Sequence, residues 1–405
     1  MRLRVIAFWL SLLLIFIIPW ENGAVISGIG PVARWLGLMT TGFWLGVVFI
    51  TGRFRRLHPF HILAMLFLLW NIGSLYWSID SKLTLSRLET YVQLTILVFL
   101  IWDLYTTNNR IRTGLQVYVL GAYVTIWSVI SNFLAGKTTG QSGRYSAFNF
   151  NENDMALILV IGMGMAWYLA ISADTNDQKM WSKENLLRLA NYIFVPLAFF
   201  SIILTASRTA LLSTVPIVWF MLGSSTQLKP TARLVVSIGA VGGLLLLQPF
   251  VPQTSIDRLT TTSDELSEGD LNGRRQIWDV GIEAFLEHPI VGSGSGVFKT
   301  ISGGKVAHNT YLSILAEMGI IGFLTFMGMV FMAVYQPKYK SKWLATFWIT
   351  VFLSWSIGVS AMNYELRKPT WLILALALAS GHTYIRQQSM LKKEEKAKFK
   401  YSRQS

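Results

Sequence analysis

The sequence predicts an all-α, polytopic membrane bundle of about twelve transmembrane helices, and three observations predict it. Of the 405 residues, 53% are hydrophobic and only 14% charged, with a mean hydropathy of +0.46. A water-soluble fold of that composition has nowhere to put its side chains, so lipid is the expected solvent. Windows near the ~20 apolar residues that a helix needs to cross the hydrocarbon core recur along the whole chain. Those windows also lack the period-2 alternation of an outer-membrane barrel, which leaves helices as the spanning element.

In order, the windows fall near 5–20, 32–51, 60–77, 88–102, 115–135, 155–172, 191–206, 209–223, 233–250, 311–335, 343–362 and 369–385. The first follows "MRLR" and has the basic flank of a signal sequence; no clean small-residue cleavage site follows, so it reads as a retained span. Four regions result: 1–250 with spans one to nine, a loop at 251–310 containing an amphipathic helix, 311–386 with spans ten to twelve, and a basic tail at 387–405. No internal repeat is evident. The chain has no cysteine, which excludes disulfides and thiol chemistry.

A formal net charge of +14 might suggest nucleic acid, but its distribution argues otherwise. With the N-terminus on the cytoplasmic side, the inward segments hold Arg2, Arg4, Arg53, Arg55, Arg56, Arg110, Arg112, Lys179, Lys183, Arg188, Lys229, Arg233, Lys338, Lys340 and Lys342. The tail "QQSMLKKEEKAKFKYSRQS" falls on the same side. That is the positive-inside bias, so the charge is mostly a topological address and both termini are expected in the cytoplasm. The tail also suits anionic lipid, though a solvated end accounts for it equally simply.

This orientation gathers the chemically interesting segments on the outer side: 136–154 "GKTTGQSGRYSAFNFNEND", the tight junction "TASRTA" at 205–210, the long loop 251–310, and "NYELRKP" at 363–369. Arg208 is the most informative residue among them. Arginine in a tight outer turn runs against the positive-inside bias and is costly to dehydrate. It could snorkel to lipid phosphates; alternatively it faces a polar cavity and holds an anion in its rigid fork of donors.

Residues 272–288 predict an amphipathic helix. Ile277, Val280, Gly281, Ala284 and Phe285 share a face, Asn272 or Asp270 can cap the start, and Pro289 ends it. Such a helix lies on the interface with its apolar face against lipid or bundle. Arg274 and Arg275 fall in its first turn, where they are either solvated or part of an anion site. The glycines of "GSGSG" at 292–296 suggest a flexible or tight turn; with no βαβ unit they make no dinucleotide fingerprint. Glu152 and Asp154 could hold a metal, but acids in a first turn are ordinary dipole partners.

His308 stands before the apolar run "TYLSILAEMGIIG". Of the five histidines it is the one at an outer helix end beside arginines; His58 and His61 lie at an inner loop, His288 precedes a proline, and His382 is near the inner end of the last span. A polar residue closing a helix at the membrane surface explains its position. Its cationic company favours a general base, since nearby positive charge holds imidazole neutral. Glu317 lies about 13 Å deeper at ~1.5 Å per residue, too far to touch His308, and is expected to pair with another intramembrane polar group.

In this order, "GRYSAFNFNENDMA", "LTASRTALL", "NGRRQIWDVGIEAFLEHPIVGSGSGVF" and "AHNTYLSILAEMGIIG" resemble the O-antigen ligase and O-antigen polymerase superfamily of bacterial inner-membrane glycosyltransferases. The resemblance spans about 143–322. It implies a C-type glycosyltransferase-like bundle that moves a glycan from undecaprenyl diphosphate to an acceptor hydroxyl in the periplasm. It also implies inversion at the anomeric carbon without metal or other cofactor. Carried over by position, Arg208 and Arg274 correspond to the family's diphosphate-binding arginines, with Arg275 as neighbour and Trp278 four residues beyond Arg274. His308 corresponds to its catalytic histidine. Arg144, Asn309 and Tyr311 are candidate substrate contacts. The family's Asn-Pro-Asn is replaced here by Asn151-Glu152-Asn153.

The implied partners are an undecaprenyl diphosphate-linked donor, a lipid A-core or lipid-linked glycan acceptor, and membrane lipids, with no nucleic acid. The reading leans towards a ligase, from chain length and the single dominant late loop. A polymerase joining lipid-linked repeat units is the close alternative. From a different class, a polytopic transporter or flippase would show paired repeats and midplane polar residues, which the sequence lacks.

Overall fold

The computed structural model describes residues 2–26, 28, 30–139, 143–148, 150–172, 182–260, 273–335 and 342–382. It is predominantly helical, and ten of the helices described are long and apolar enough to cross a membrane. These are α1 (Arg2–Ile17, continued by a 3-10 turn to Gly23), α2 (Val32–Thr51), α3 (Pro59–Gly73, continued to Tyr76), α4 (Ser81–Leu104), α5 (Asn108–Leu134), α6 (Glu152–Ile171), α7 (Lys183–Leu204), α8 (Arg208–Ser224), and, later in the chain, α13 (Thr310–Val334) and α14 (Lys342–Val359). The remaining two of the twelve predicted windows are also helical, as α9 (Pro230–Leu247) and α15 (368–382), but neither is among those ten. Between them lie α10 (Gln253–Thr260), the amphipathic α11 (Arg274–Glu287) and the short α12 (Phe298–Ile301). A two-residue hairpin, β1 (Val25–Ile26) with β2 (Gly30–Pro31), follows α1. Of the predicted caps for α11, Asp270 and Asn272 lie outside the described residues, and the N-cap position is Gly273 at φ 77°.

Local chemistry starts several spans where the apolar pattern does. Asp80, Thr107, Asn151, Ser182, Ser207 and Asn309 each accept a backbone N–H in the first turn of the helix that follows. Burial then sorts the helices. α6 is apolar all round, and 94% of its most apolar window is buried, against 22% for α2. α6 is therefore the central post, with α5, α7, α8 and α14 packed on it, while α2 turns an outer face to lipid. α15 is buried along its length as well.

Polar contacts between connections separate the two ends of the bundle. At one end Lys368 pairs with Glu21, Arg367 with Asp154, Arg144 Nε donates to the Thr205 carbonyl at 2.7 Å, and the Ile79 N–H donates to the Ser293 carbonyl at 3.2 Å. At the other, Asp103 takes Arg4 at 2.5 Å and the Arg55 N–H at 2.9 Å, and Arg112 reaches Ser172 at 2.6 Å. The first end carries every segment that the charge bias assigns outward; we call it the site face.

Two features differ from a plain bundle. α11 lies against the bundle, burying Ile277, Gly281 and Ala284 near Phe298, Leu312 and Ala316. And α13 is not one continuous helix: Gly319 sits at φ 62°, ψ −168°, which opens the ladder. The stretch from Pro289 to Gly294 docks into that opening. Ser293 and Gly294 donate to the carbonyls of Ala316 and Glu317 at 3.0 and 2.9 Å, the Ile320 N–H donates to Pro289 at 2.9 Å, and Trp70 Nε1 donates to Met318 at 3.0 Å. The "GSGSG" run is thus a buried re-entrant turn, and the flexible alternative does not hold. At Gly292 (φ 71°) a Cβ would come within 2.4 Å of the Glu317 backbone, so only glycine fits.

Candidate functional site

The loop before α6 and the α7–α8 junction are tied together first. Arg144 is buried and spreads its guanidinium over the Thr205 carbonyl (Nε, 2.7 Å), Asn153 Oδ1 (3.0 Å) and Glu152 (3.4 Å). Asn153 Oδ1 also accepts the Ser207 hydroxyl at 2.7 Å. Burial pushes the Arg144 guanidinium down to about 10; Glu152 opposes the shift, while Arg258 and Arg274 add to it. Arg144 therefore braces the junction that presents Arg208. Glu152 and Asp154, the candidate metal ligands, are each engaged by an arginine, Arg144 and Arg367.

Arg208 is the first residue of α8, after Ala206 in the left-handed region at φ 48°. Its Nε donates to the Arg258 carbonyl on α10 at 2.7 Å, which bends the segment after α9 back over the junction. Arg274, half-buried at the start of α11, lies close enough to Arg258 for that charge, together with burial, to depress its own basicity. Arg275, one residue on, is exposed. The fold thus brings Arg144, Arg208, Arg258 and Arg274 into one neighbourhood. A cluster of guanidiniums against low-dielectric walls raises the local concentration of an anion.

His308 borders this cluster. Its own backbone is strained, at φ 48°, outside the ordinary range for a non-glycine residue and worth roughly 1–3 kcal/mol. The peptide unit joining it to Ala307 is held from both ends: Trp278 Nε1 of α11 donates to the Ala307 carbonyl at 2.9 Å, and the His308 N–H donates to Asn363 Oδ1 at 2.7 Å. The imidazole is half-buried, and burial, with Arg274 second, pushes its pKa below the ordinary value. The residue that caps α13 is Asn309, whose carboxamide accepts from Tyr311 and Leu312 at 3.0 and 3.2 Å. Tyr311 is turned to α14, its hydroxyl 2.8 Å from Ser356 Oγ. Both candidate contacts thus have partners within the fold.

Below His308 lies a second polar group that the sequence reading passed over, apart from Glu317. Its buried carboxylate accepts the N–H groups of Gly296 and Phe298 at 2.9 and 3.0 Å and pairs with Arg87 of α4 at 3.6 Å. Arg87 also meets Glu365 at 3.3 Å, and Glu365 accepts the Thr310 hydroxyl at 3.2 Å. The intramembrane partner expected for Glu317 is therefore Arg87. Arg87 stands immediately before the apolar window at 88–102, and that position at a span end was the available signal for it. Asn363 and Glu365 lie in the outward "NYELRKP" segment but carry no motif. Arg258 has no sequence signal beyond its charge.

These elements define a class: an integral, polytopic α-helical membrane protein with an anion-attracting cluster and a histidine on one face. Residues 193–327, one third of the chain, match the family model described as O-antigen ligase. The matched stretch runs from α7 into α13 and contains Arg208, Arg258, Arg274, Trp278, His308 and Glu317. The "GRYSAFNFNENDMA" piece of the sequence resemblance lies before it. No curated protein gives a significant match.

Proposed function

We propose that the protein is an inner-membrane glycosyltransferase of the C type that moves a glycan from undecaprenyl diphosphate to an acceptor hydroxyl on the periplasmic side. His308 is the general base, and Arg208 and Arg274 hold the donor diphosphate. The observation that carries this reading is the placement of His308. Its peptide is clamped between Trp278 and Asn363, and burial, with the Arg274 charge second, disfavours the protonated ring.

The chemistry follows from those positions. The acceptor oxygen attacks the anomeric carbon as the bond from that carbon to the phosphate oxygen breaks. The hydroxyl proton passes to His308, and the electron pair of the broken bond leaves with the diphosphate. Guanidiniums fixed before the reaction begins stabilise that developing charge without reorganising. Attack from the side opposite the leaving group inverts the anomeric centre. A positioned base contributes ~10²–10⁴-fold to such a step.

His308→Ala should remain in the membrane at wild-type level and lose glycan transfer in a reconstituted assay; near-normal transfer would sink the assignment. The single long loop after α9 favours a ligase, with lipid A-core as acceptor. Deleting the gene and resolving the lipopolysaccharide ladder tests that choice. Unligated full-length polymer marks a ligase, and core bearing one repeat unit marks a polymerase.

A further inference from the structure

Two cavities near the site face share walls. One is polar, about 400 Å³, and is lined by Arg87, Lys299, Ala307, Asn363 and Glu365 among others. The other is an apolar groove between α1, α2 and α4, walled by Leu14, Gly37, Leu38, Leu94, Leu97 and Leu100. Thr90 and Leu366 line both. Along α4 the groove positions 90, 93, 94, 97 and 100 follow one helical face, so it runs about 15 Å inward from Thr90 at ~1.5 Å per residue. It opens beside α2, the least buried span.

The polar cavity carries charges of both signs. Arg87 is met by Glu317 and Glu365, and Arg367 by Asp154. At the rim of the groove Arg34 pairs with Glu89 and Lys368 with Glu21. Carboxylates in the wall disfavour a phosphate, whereas donors mixed with acceptors suit a polyhydroxyl compound. An apolar slot that shares Thr90 and Leu366 with such a cavity fits a lipid with a glycan head. The cavity reaches Ala307 and Asn363, whose contacts hold the two ends of the His308 peptide.

We propose that groove and cavity together bind the acceptor as a glycolipid. Its chain lies along α1, α2 and α4, and its sugar approaches His308 from the side opposite the donor's diphosphate. This rests on the glycosyltransferase reading above. p-Benzoylphenylalanine in place of Gln93, irradiated in intact cells, should give a saccharide-bearing lipid adduct, read by mass spectrometry of the purified chain. Thr90→Trp should raise the acceptor KM by about tenfold or more, a loss of about 1.4 kcal/mol. Binding of undecaprenyl diphosphate-linked glycan to that full-length variant in nanodiscs should not change. Adducts with phospholipid alone, or an unchanged acceptor KM, would overturn the proposal. Loss of donor binding in Thr90→Trp would assign the groove to the donor and overturn it too. Saccharide adducts at position 93, together with no glycan transfer by the wild-type chain, would uphold the groove and refute the glycosyltransferase reading instead.

Discussion

His308 carries two opposing demands: it must accept a proton, yet it sits among cations. The second satisfies the first, because burial and Arg274 both disfavour imidazolium. Protonation removes the base, so transfer should fall as pH drops through the folded pKa. With that pKa below the ordinary ~6.5, the acid limb of kcat/KM should have its midpoint below that value. A pH–rate profile checks this, and a midpoint above ~6.5 would contradict it. Arg208 makes a different demand. Its Nε is committed to the Arg258 carbonyl, which fixes the plane of the guanidinium. Lysine supplies a charge without that anchored fork, so Arg208→Lys should lose most transfer while remaining in the membrane. A Lys variant with full activity would count against diphosphate clamping.

At the scale of the element, the unexpected part is the break in α13. Its periodicity predicts an uninterrupted span from 311 to 335, and hydropathy cannot distinguish a continuous helix from one opened at Gly319. The carbonyls freed by the break are satisfied by the turn at 289–294, and the Glu317 side chain holds the backbone just beyond it. The next residues lead to the Ala307 peptide that Trp278 grips. Breaking a buried ion pair by neutralising one member costs about 3–5 kcal/mol, since the other charge stays buried. Glu317→Gln should therefore lower the thermal midpoint of the detergent-solubilised protein, and Arg87→Met in the same chain should lower it further, since buried Glu365 then loses its partner as well. If the single variant melted like wild type, the pair would not be holding the turn. The boundaries of most spans were legible because a cap and an apolar run coincide, as at Asn151–Glu152 and Ser207–Arg208. The re-entrant turn was not, because its partners are backbone atoms of a helix some twenty-five residues later in the chain.

Across the whole molecule, the same side of the bundle carries Arg144, Arg208, Arg274, His308, Asn363 and Arg367, drawn from five separate connections. The absence of cysteine makes the sidedness directly measurable. Arg275→Cys and Lys299→Cys, both at exposed positions, should react with a membrane-impermeant maleimide added to intact spheroplasts. Arg56→Cys, exposed at the other end, should react only after permeabilisation. The reverse pattern would put the site in the cytoplasm and dismantle the proposed reaction.

By itself the sequence determined the solvent, most of the helical spans, and which arginines and histidine share a face. Those properties are additive along the chain: apolar length, Lys/Arg counts and first-turn caps need no knowledge of what packs against what. Only the tertiary structure decided which of those residues meet. It set Arg275 outward and Arg274 inward, gave the α13 cap to Asn309, paired Glu317 with Arg87, and joined an apolar groove to the cavity below His308. Each outcome depends on contacts between distant segments, and a one-dimensional pattern holds no distance between them.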